Sequence, residues 1–361
     1  MSIEKGSVSI RVFKSKPGTQ FPADVVARLA KDAIPPVDMI TSEGCVGWAT
    51  GRHLLDRNIT AESVIISNKL RVALVKAEKK IPAALFKAEC KQEELAAMAA
   101  TGSNFLKRAE RCQIAKEVRE RMLPKMPPTI SGIDFVQTKD GCYTSAISDT
   151  QADLLMTAWL KATGQQLIPY TPAAAAGLLA NLDTRILNST SFSSAIDDEI
   201  VEQDIGTEFL TWLWYFSEAC GGMDKNFGFA LEGPFTFVHE GEGAFEIIVR
   251  KGNPGIASEA KSALVAGKKL KKAKLTIAQG NELWSCTLNG SEWTFGSLKL
   301  PKGEAKDALT NFDERLLFID RFIEAIESVY KKFLAIRVDK KLWDVEVTNI
   351  RQWVTDRATR A

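Results

Sequence analysis

Histidine is nearly missing from this 361-residue chain: there are two, His53 and His239, and neither has a second ligand close by in sequence. Zinc sites of the usual spacing are therefore not supported, and any Ser-His or Cys-His pair would have to use one of those two rings. The six cysteines (Cys45, Cys90, Cys112, Cys142, Cys220 and Cys286) are scattered and include no C-x-x-C pair. They read as buried, unpaired thiols in a reducing compartment. There is no G-x-x-x-x-G-K-[ST] phosphate loop and no G-x-S-x-G elbow. No apolar run approaches the roughly 18 residues of a membrane span. The opening stretch MSIEKGSVSIRVFKSK lacks the apolar core and small-residue cleavage site of a secretory signal. These absences predict a cytoplasmic protein that is neither an enzyme nor membrane-bound and uses no metal or organic cofactor.

What is present is ordinary globular composition, with 45% hydrophobic and 25% charged residues. The length allows two domains, each with its own core. Net charge is only +2, but it is unevenly spread. Residues 69–140 hold 15 basic and 9 acidic side chains, residues 141–246 hold 3 and 15, and residues 247–306 hold 11 and 4. Two basic segments flanking an acidic one point towards a polyanion partner.

Periodicity predicts an α+β fold of antiparallel sheets with packed long helices. Ser7–Phe13 alternates as a strand, and Pro22 opens a helix to about Ala33. Lys69–Lys76 is a strand, followed by helices at about 83–100 and 104–123, the second capped by Ser103 and stopped by Pro124. Strands at 133–138 and 142–147 flank the turn signal Asp140-Gly141. A helix at 150–163 ends at Gly164, and 166–170 is a short strand. Glu208–Ala219 is a helix apolar nearly all round. Strands at 235–239 and 245–250 then flank Gly241–Gly243, and a meander covers 272–300 with a bulge expected at Gly296. A long amphipathic helix at 311–336 carries Phe312, Leu316, Ile319, Phe322, Ile323, Ile326, Tyr330 and Phe333, and the tail with Trp343 and Trp353 docks as a short helix. The expected division is an N-terminal and central α+β domain (1–170), a connector (171–208) and a C-terminal α+β domain (209–361).

Two basic clusters are the candidate contacts for a nucleic acid. Lys268, Lys269, Lys271, Lys272 and Lys274 place five lysines in seven residues at the start of a strand. Such density is hard to bury and fits phosphates, whose neutralisation releases counterions and gives sequence-independent, salt-dependent affinity. The bland alternative is a solvated edge strand protected by lysine. Lys107, Arg108 and Arg111 open the helix at 104–123, which also contains the i,i+4 pairs Lys116–Glu120 and Glu117–Arg121. Little arginine stands where base reading would be expected, so nothing predicts sequence specificity. The acids Asp197, Asp198, Glu199, Glu202 and Asp204 could hold Mg²⁺ in a nuclease, or simply favour the positive end of the helix that follows.

The order of features over 69–170 resembles the recombination-associated RdgC family. The stretches that carry the resemblance are Glu78-Lys79-Lys80-Ile81-Pro82, the charged helical pair ending Met122-Leu123-Pro124-Lys125, the Ile133-Asp134 strand, the turn at Asp140-Gly141 and Leu167-Ile168-Pro169-Tyr170, with Gly47-Trp48 upstream. The C-terminal half resembles a divergent branch of the family through Phe209–Trp214, Glu232-Gly233-Pro234, 250–255 and Lys268–Leu275. The family often carries a bulky aromatic just after the position of Lys125, where this chain has Met126-Pro127. The resemblance implies a ring-shaped homodimer through which double-stranded DNA threads without sequence preference. It also implies a nucleoid-associated role in which the ring competes with a RecA-type recombinase for DNA, single strands being a further possible ligand. Two other readings stand beside it: a metal-dependent nuclease using the carboxylates of 197–208, and a protein-interaction module whose acidic 141–246 segment engages a recombination partner.

Overall fold

Alternating apolar residues become strands, and three-to-four spacing becomes helix, across most of the chain. The computed structural model describes residues 3–14, 22, 24–139, 141–193, 204–239, 246–250 and 257–359. The first elements are β1 (Val8–Lys14), α1 (Val25–Lys31), β2 (Cys45–Thr50), α2 (Ala61–Val64), β3 (Ile65–Ile66), β4 (Lys69–Lys79), α3 (Ala83–Thr101) and α4 (Arg108–Met122). Then come β5 (Pro128–Gln137), β6 (Cys142–Thr144), α5 (Asp149–Thr163), β7 (Ile168–Pro169) and α6 (Pro172–Ala180). The rest comprises α7 (Ile205–Ala219), β8 (Met223–Asp224), β9 (Phe227–Val238), β10 (Glu246–Val249), α8 (Ser258–Val265), β11 (Lys269–Gln279), β12 (Glu282–Asn289), β13 (Thr294–Lys299), α9 (Ala308–Val338) and α10 (Lys340–Thr359). The fold is α+β with extensive antiparallel pairing.

Two compact units share the chain. One comprises Met1–Thr19, Gln137–Asp153 and Gln166–Ala361; the other comprises Gln20–Val136 and Leu154–Gln165. This differs from the division expected at residue 170, because β1 pairs with β13 near the other end of the chain, Val8 opposite Leu298 and Ile10 opposite Phe295. The stretch 171–208 is also more than a connector. Thr171 caps α6 through the Ala174 N–H, Ala175 and Ala176 are fully buried, and the Tyr330 hydroxyl donates to the Pro172 carbonyl at 2.9 Å.

The first unit is a sheet in the order β10-β9-β11-β12-β13-β1-β6. Its core is the aromatic packing of α7 and α9. All residues from Ile205 to Phe216 are buried, which matches the helix read as apolar all round. Asp204 caps that helix, accepting from the Gly206 and Thr207 N–H groups at 2.8 and 3.3 Å. Gly206 has to be glycine: a Cβ there would lie 2.3 Å from the Gly290 carbonyl oxygen. All eight apolar residues of the predicted stripe on α9 are buried. At roughly 1.5–3 kcal/mol per large apolar side chain, that face alone outweighs any surface contact in the molecule. The bulge expected at Gly296 is present: Ser285 faces Lys299 while Thr287 faces Gly296, with Ser297 at φ +51° between them. The tail is longer than foreseen, a 20-residue helix rather than a short one, and Trp353 packs edge-on to Trp214 at 5.2 Å.

The second unit has β5, β4 and β2 side by side, with β3 also on β4. Its core is the trio Trp48, Phe135 and Trp159, with ring centroids 4.7–6.4 Å apart. Helices α3 and α4 stand apart from that core: α3 buries no residue, and α4 buries Val118 and Met122. Gly102, at φ +64°, closes α3. Ser103 does not cap α4 as expected; its hydroxyl serves a local turn with Phe105, and α4 starts only at Arg108.

Of the thiols expected to be buried, only Cys142 and Cys286 are; Cys45 and Cys90 are half-buried and Cys112 and Cys220 exposed, and none of the six is in a disulfide. Burial pushes the Cys286 thiol well above its ordinary range.

Candidate nucleic-acid interface

The lysine-rich segment divides in two where β11 begins. Leu270 faces Phe237 and Lys272 faces Thr236, so the strand bulges at Lys271. Before the bulge, Lys268 and Lys269 are buried, Lys269 being only 2% exposed. The Lys269 ammonium lies 3.2 Å from Oε1 of Glu208, whose side chain is fully buried. Oε2 of the same carboxylate accepts from Nε of buried Arg337 at 2.9 Å, and the Thr190 N–H donates to Oε1 at 3.0 Å. A charge held away from water has to be paired and hydrogen-bonded, and Glu208 supplies that for two cations. Of the two lysines expected to meet phosphate here, Lys269 is thus committed to Glu208, and Lys268 is 9% exposed.

After the bulge the lysines turn outward. Regular pairing with β12 puts Lys272 opposite Asn289, Lys274 opposite Thr287 and Thr276 opposite Ser285, and β13 adds Lys299 opposite Ser285. Directly opposed residues share a face, so Lys272, Lys274 and Lys299 lie on one polar face of the sheet. One of these charges is already compensated: Glu232 sits 2.6 Å from the Lys274 ammonium. Lys271, on the bulge itself, is half-buried.

The second cluster is arranged differently. Lys107, Arg108 and Arg111 are all exposed, and none forms an ion pair among the described residues. Arg108 and Arg111 are three residues apart on a helix, hence on the same face. The nearby acid, Glu110, is turned back on the backbone, accepting the Lys107 N–H at 2.7 Å at the start of α4. Farther along the hairpin Arg121 is matched. Arg121 reaches across to α3, with Nη1 2.6 Å from Glu93 and Nη2 3.0 Å from Glu89. Its hydrogen bond to Glu93 holds the guanidinium above its ordinary range. The expected Glu117–Arg121 pair is thus replaced by a cross-helix one; Glu117 instead accepts from Gln113 at 2.7 Å. Lys116 and Glu120 do approach, at 3.9 Å.

One residue at this end of the hairpin was not singled out from the sequence. Phe105, in the turn between α3 and α4, is 71% exposed while its neighbour Leu106 is tucked in. Its only signal was an aromatic standing in a short polar inter-helix stretch.

Asp197, Asp198, Glu199 and Glu202 lie outside the described residues, as do Asp140, Gly241–Gly243 and 251–255. Asp204 is committed to its cap and accepts from the Ser291 hydroxyl at 2.5 Å. Among the described residues no three His, Cys, Asp or Glu side chains gather as a metal site. The exposed His53 accepts the Leu55 N–H at 3.2 Å in a local turn. No described helix is long and apolar enough to cross a membrane. No protein-family model matches the chain, and no curated protein matches it.

Proposed function

We propose that this chain is a non-catalytic protein that binds DNA through its phosphates without reading sequence, and that the tip of the α3–α4 hairpin is its principal contact. The observation that carries the reading is the set of three exposed cations, Lys107, Arg108 and Arg111, with no carboxylate partner among the described residues, on a hairpin whose other cations include the doubly paired Arg121. Exposed like charges at such spacing repel one another, and phosphates relieve that repulsion while releasing counterions. Phe105 adds a ring on which an unpaired base can stack. Lys271, Lys272 and Lys274 on the sheet form a secondary contact.

The resemblance to RdgC proteins extends this reading to a homodimeric clamp on duplex DNA that limits the access of a RecA-type recombinase, in a cytoplasmic, nucleoid-associated setting. The test is fluorescence anisotropy with a labelled duplex of arbitrary sequence between about 50 and 200 mM salt, alongside the mass in solution. The reading expects affinity to fall steeply with salt, no preference between unrelated sequences and a dimer mass. Salt-independent binding, or none at low salt, would overturn it.

A further inference from the structure

The root of the same hairpin holds a feature the DNA-binding reading does not use. Strand β4 ends at Lys79, Ile81-Pro82 breaks the chain, and α3 leaves at Ala83. On the return, α4 ends at Met122 and a single 3-10 turn, Leu123–Lys125, carries the chain away. Between the start of α3 and the end of α4 lies a cleft of about 410 Å³. Its floor is apolar, from Ile81, Phe86 and Leu123, and its rim is cationic, from Lys79, Lys80 and Arg119.

The rim charges are largely uncompensated. The Arg119 guanidinium lies 5.3 Å from the centre of the Phe86 ring and meets no carboxylate among the described residues. Lys79 donates to the Pro124 carbonyl at 2.8 Å, which orients its ammonium and leaves its charge unmatched by an acid. Lys80 alone has one, Glu78, which it shares with Lys76.

We infer that this cleft receives a short acidic peptide segment, one large apolar side chain entering between Ile81, Phe86 and Leu123 while flanking carboxylates meet Arg119 and Lys79. Three features favour this occupant. The volume lies at the small end of the range for ligand pockets and suits one or two large side chains. The floor side chains have no hydrogen-bonding atoms, so a nucleobase there would lose water from its polar edges without replacement, whereas a Phe or Leu side chain loses nothing. Three cations arranged around an apolar slot also match carboxylates placed on either side of an apolar residue better than the single head group of a fatty acid.

The test is anisotropy of a fluorescein-labelled heptapeptide, Gly-Asp-Asp-Phe-Asp-Asp-Gly, against the full chain. Two further probes replace Phe by Ala or every Asp by Lys, and decanoate and a thymidine oligonucleotide serve as competitors. The parent probe is expected to bind, the Lys probe not to bind, and the Ala probe to bind about tenfold more weakly, as loss of one buried aromatic side chain requires. Arg119→Glu and Phe86→Ala are each expected to weaken the parent probe by about tenfold. Lys79→Glu, which lies outside both helices, should do the same if a helical variant loses the hairpin's circular dichroism signal. Equal affinity for the Phe and Ala probes, or unchanged affinity in Arg119→Glu and Lys79→Glu, would overturn the inference. So would full displacement of the probe by decanoate or by the oligonucleotide, since either would assign the cleft to that ligand. A Lys107→Glu/Arg108→Glu/Arg111→Glu variant is expected to bind the peptide normally, so failure of the DNA-binding reading leaves this result unchanged.

Discussion

The start of β11 and the start of α4 are both lysine- and arginine-rich, yet the fold uses them in opposite ways. At β11 the first two lysines are withdrawn, and Lys269 shares the buried Glu208 with Arg337. At α4 all three cations remain exposed without a carboxylate. The denser cluster in sequence is thus the poorer in available charge. Density along a chain measures how much charge must be accommodated; only the placement of counter-charges decides how much is left for a partner.

The largest effect expected from this contrast is on stability. Glu208→Ala leaves Lys269 and Arg337 buried without their common carboxylate, and breaking a buried pair of this kind costs about 3–5 kcal/mol. Urea unfolding should show the midpoint falling sharply; a loss comparable to that of a surface substitution would mean that Glu208 does not hold the cluster. For the same reason, reversing all five lysines of 268–274 at once should damage folding as well as binding, and cannot serve as a clean test of DNA contact.

The second effect is on affinity. Lys107→Glu/Arg108→Glu/Arg111→Glu should fold normally and bind duplex DNA at least about tenfold more weakly at low salt. Its log–log salt slope should become shallower by about 2.7, the value for three phosphate contacts. An unchanged slope would remove the tip from the interface and erase the distinction between the two clusters. A smaller effect is expected from Lys271→Glu/Lys272→Glu/Lys274→Glu, because Lys274 already has Glu232 as a partner. If this triple variant proves the more damaging, the ranking of the two contacts is inverted.

The elements were far more legible in the sequence than the site. The α9 stripe, the all-round apolar α7 and the bulge near Gly296 follow from periodicity and from glycine, both of which are local. The burial of Lys269 was not legible, because its carboxylate comes from Glu208, 61 residues earlier, and lysine in isolation reads as solvated. The pairing of β1 with β13 was not legible for a related reason: no local pattern announces a pairing across most of the chain. In the hairpin, i,i+4 spacing nominated Glu117 for Arg121, while the fold supplied Glu89 and Glu93 from the facing helix. Lys107, Arg108 and Arg111 were legible as a group, but their lack of partners was not.

The smallest effect is expected at the Lys274–Glu232 pair. Removing Glu232 by Glu232→Gln frees the Lys274 ammonium without adding a cation. If the sheet face touches DNA, affinity should rise severalfold at low salt and the gain should vanish as salt screens it, since an exposed pair gains little in water but a phosphate contact adds a counterion to the release. If the tip alone makes the contact, anisotropy titrations of the variant and the parent should superimpose at every salt concentration. Arg121→Ala is the matched control within the hairpin. It removes a guanidinium already held by two acids and frees Glu89 and Glu93, so DNA affinity should fall slightly while the helices persist by circular dichroism. A gain in Glu232→Gln together with a loss in Arg121→Ala would mean that binding follows net exposed charge over both regions, rather than the three cations of the tip.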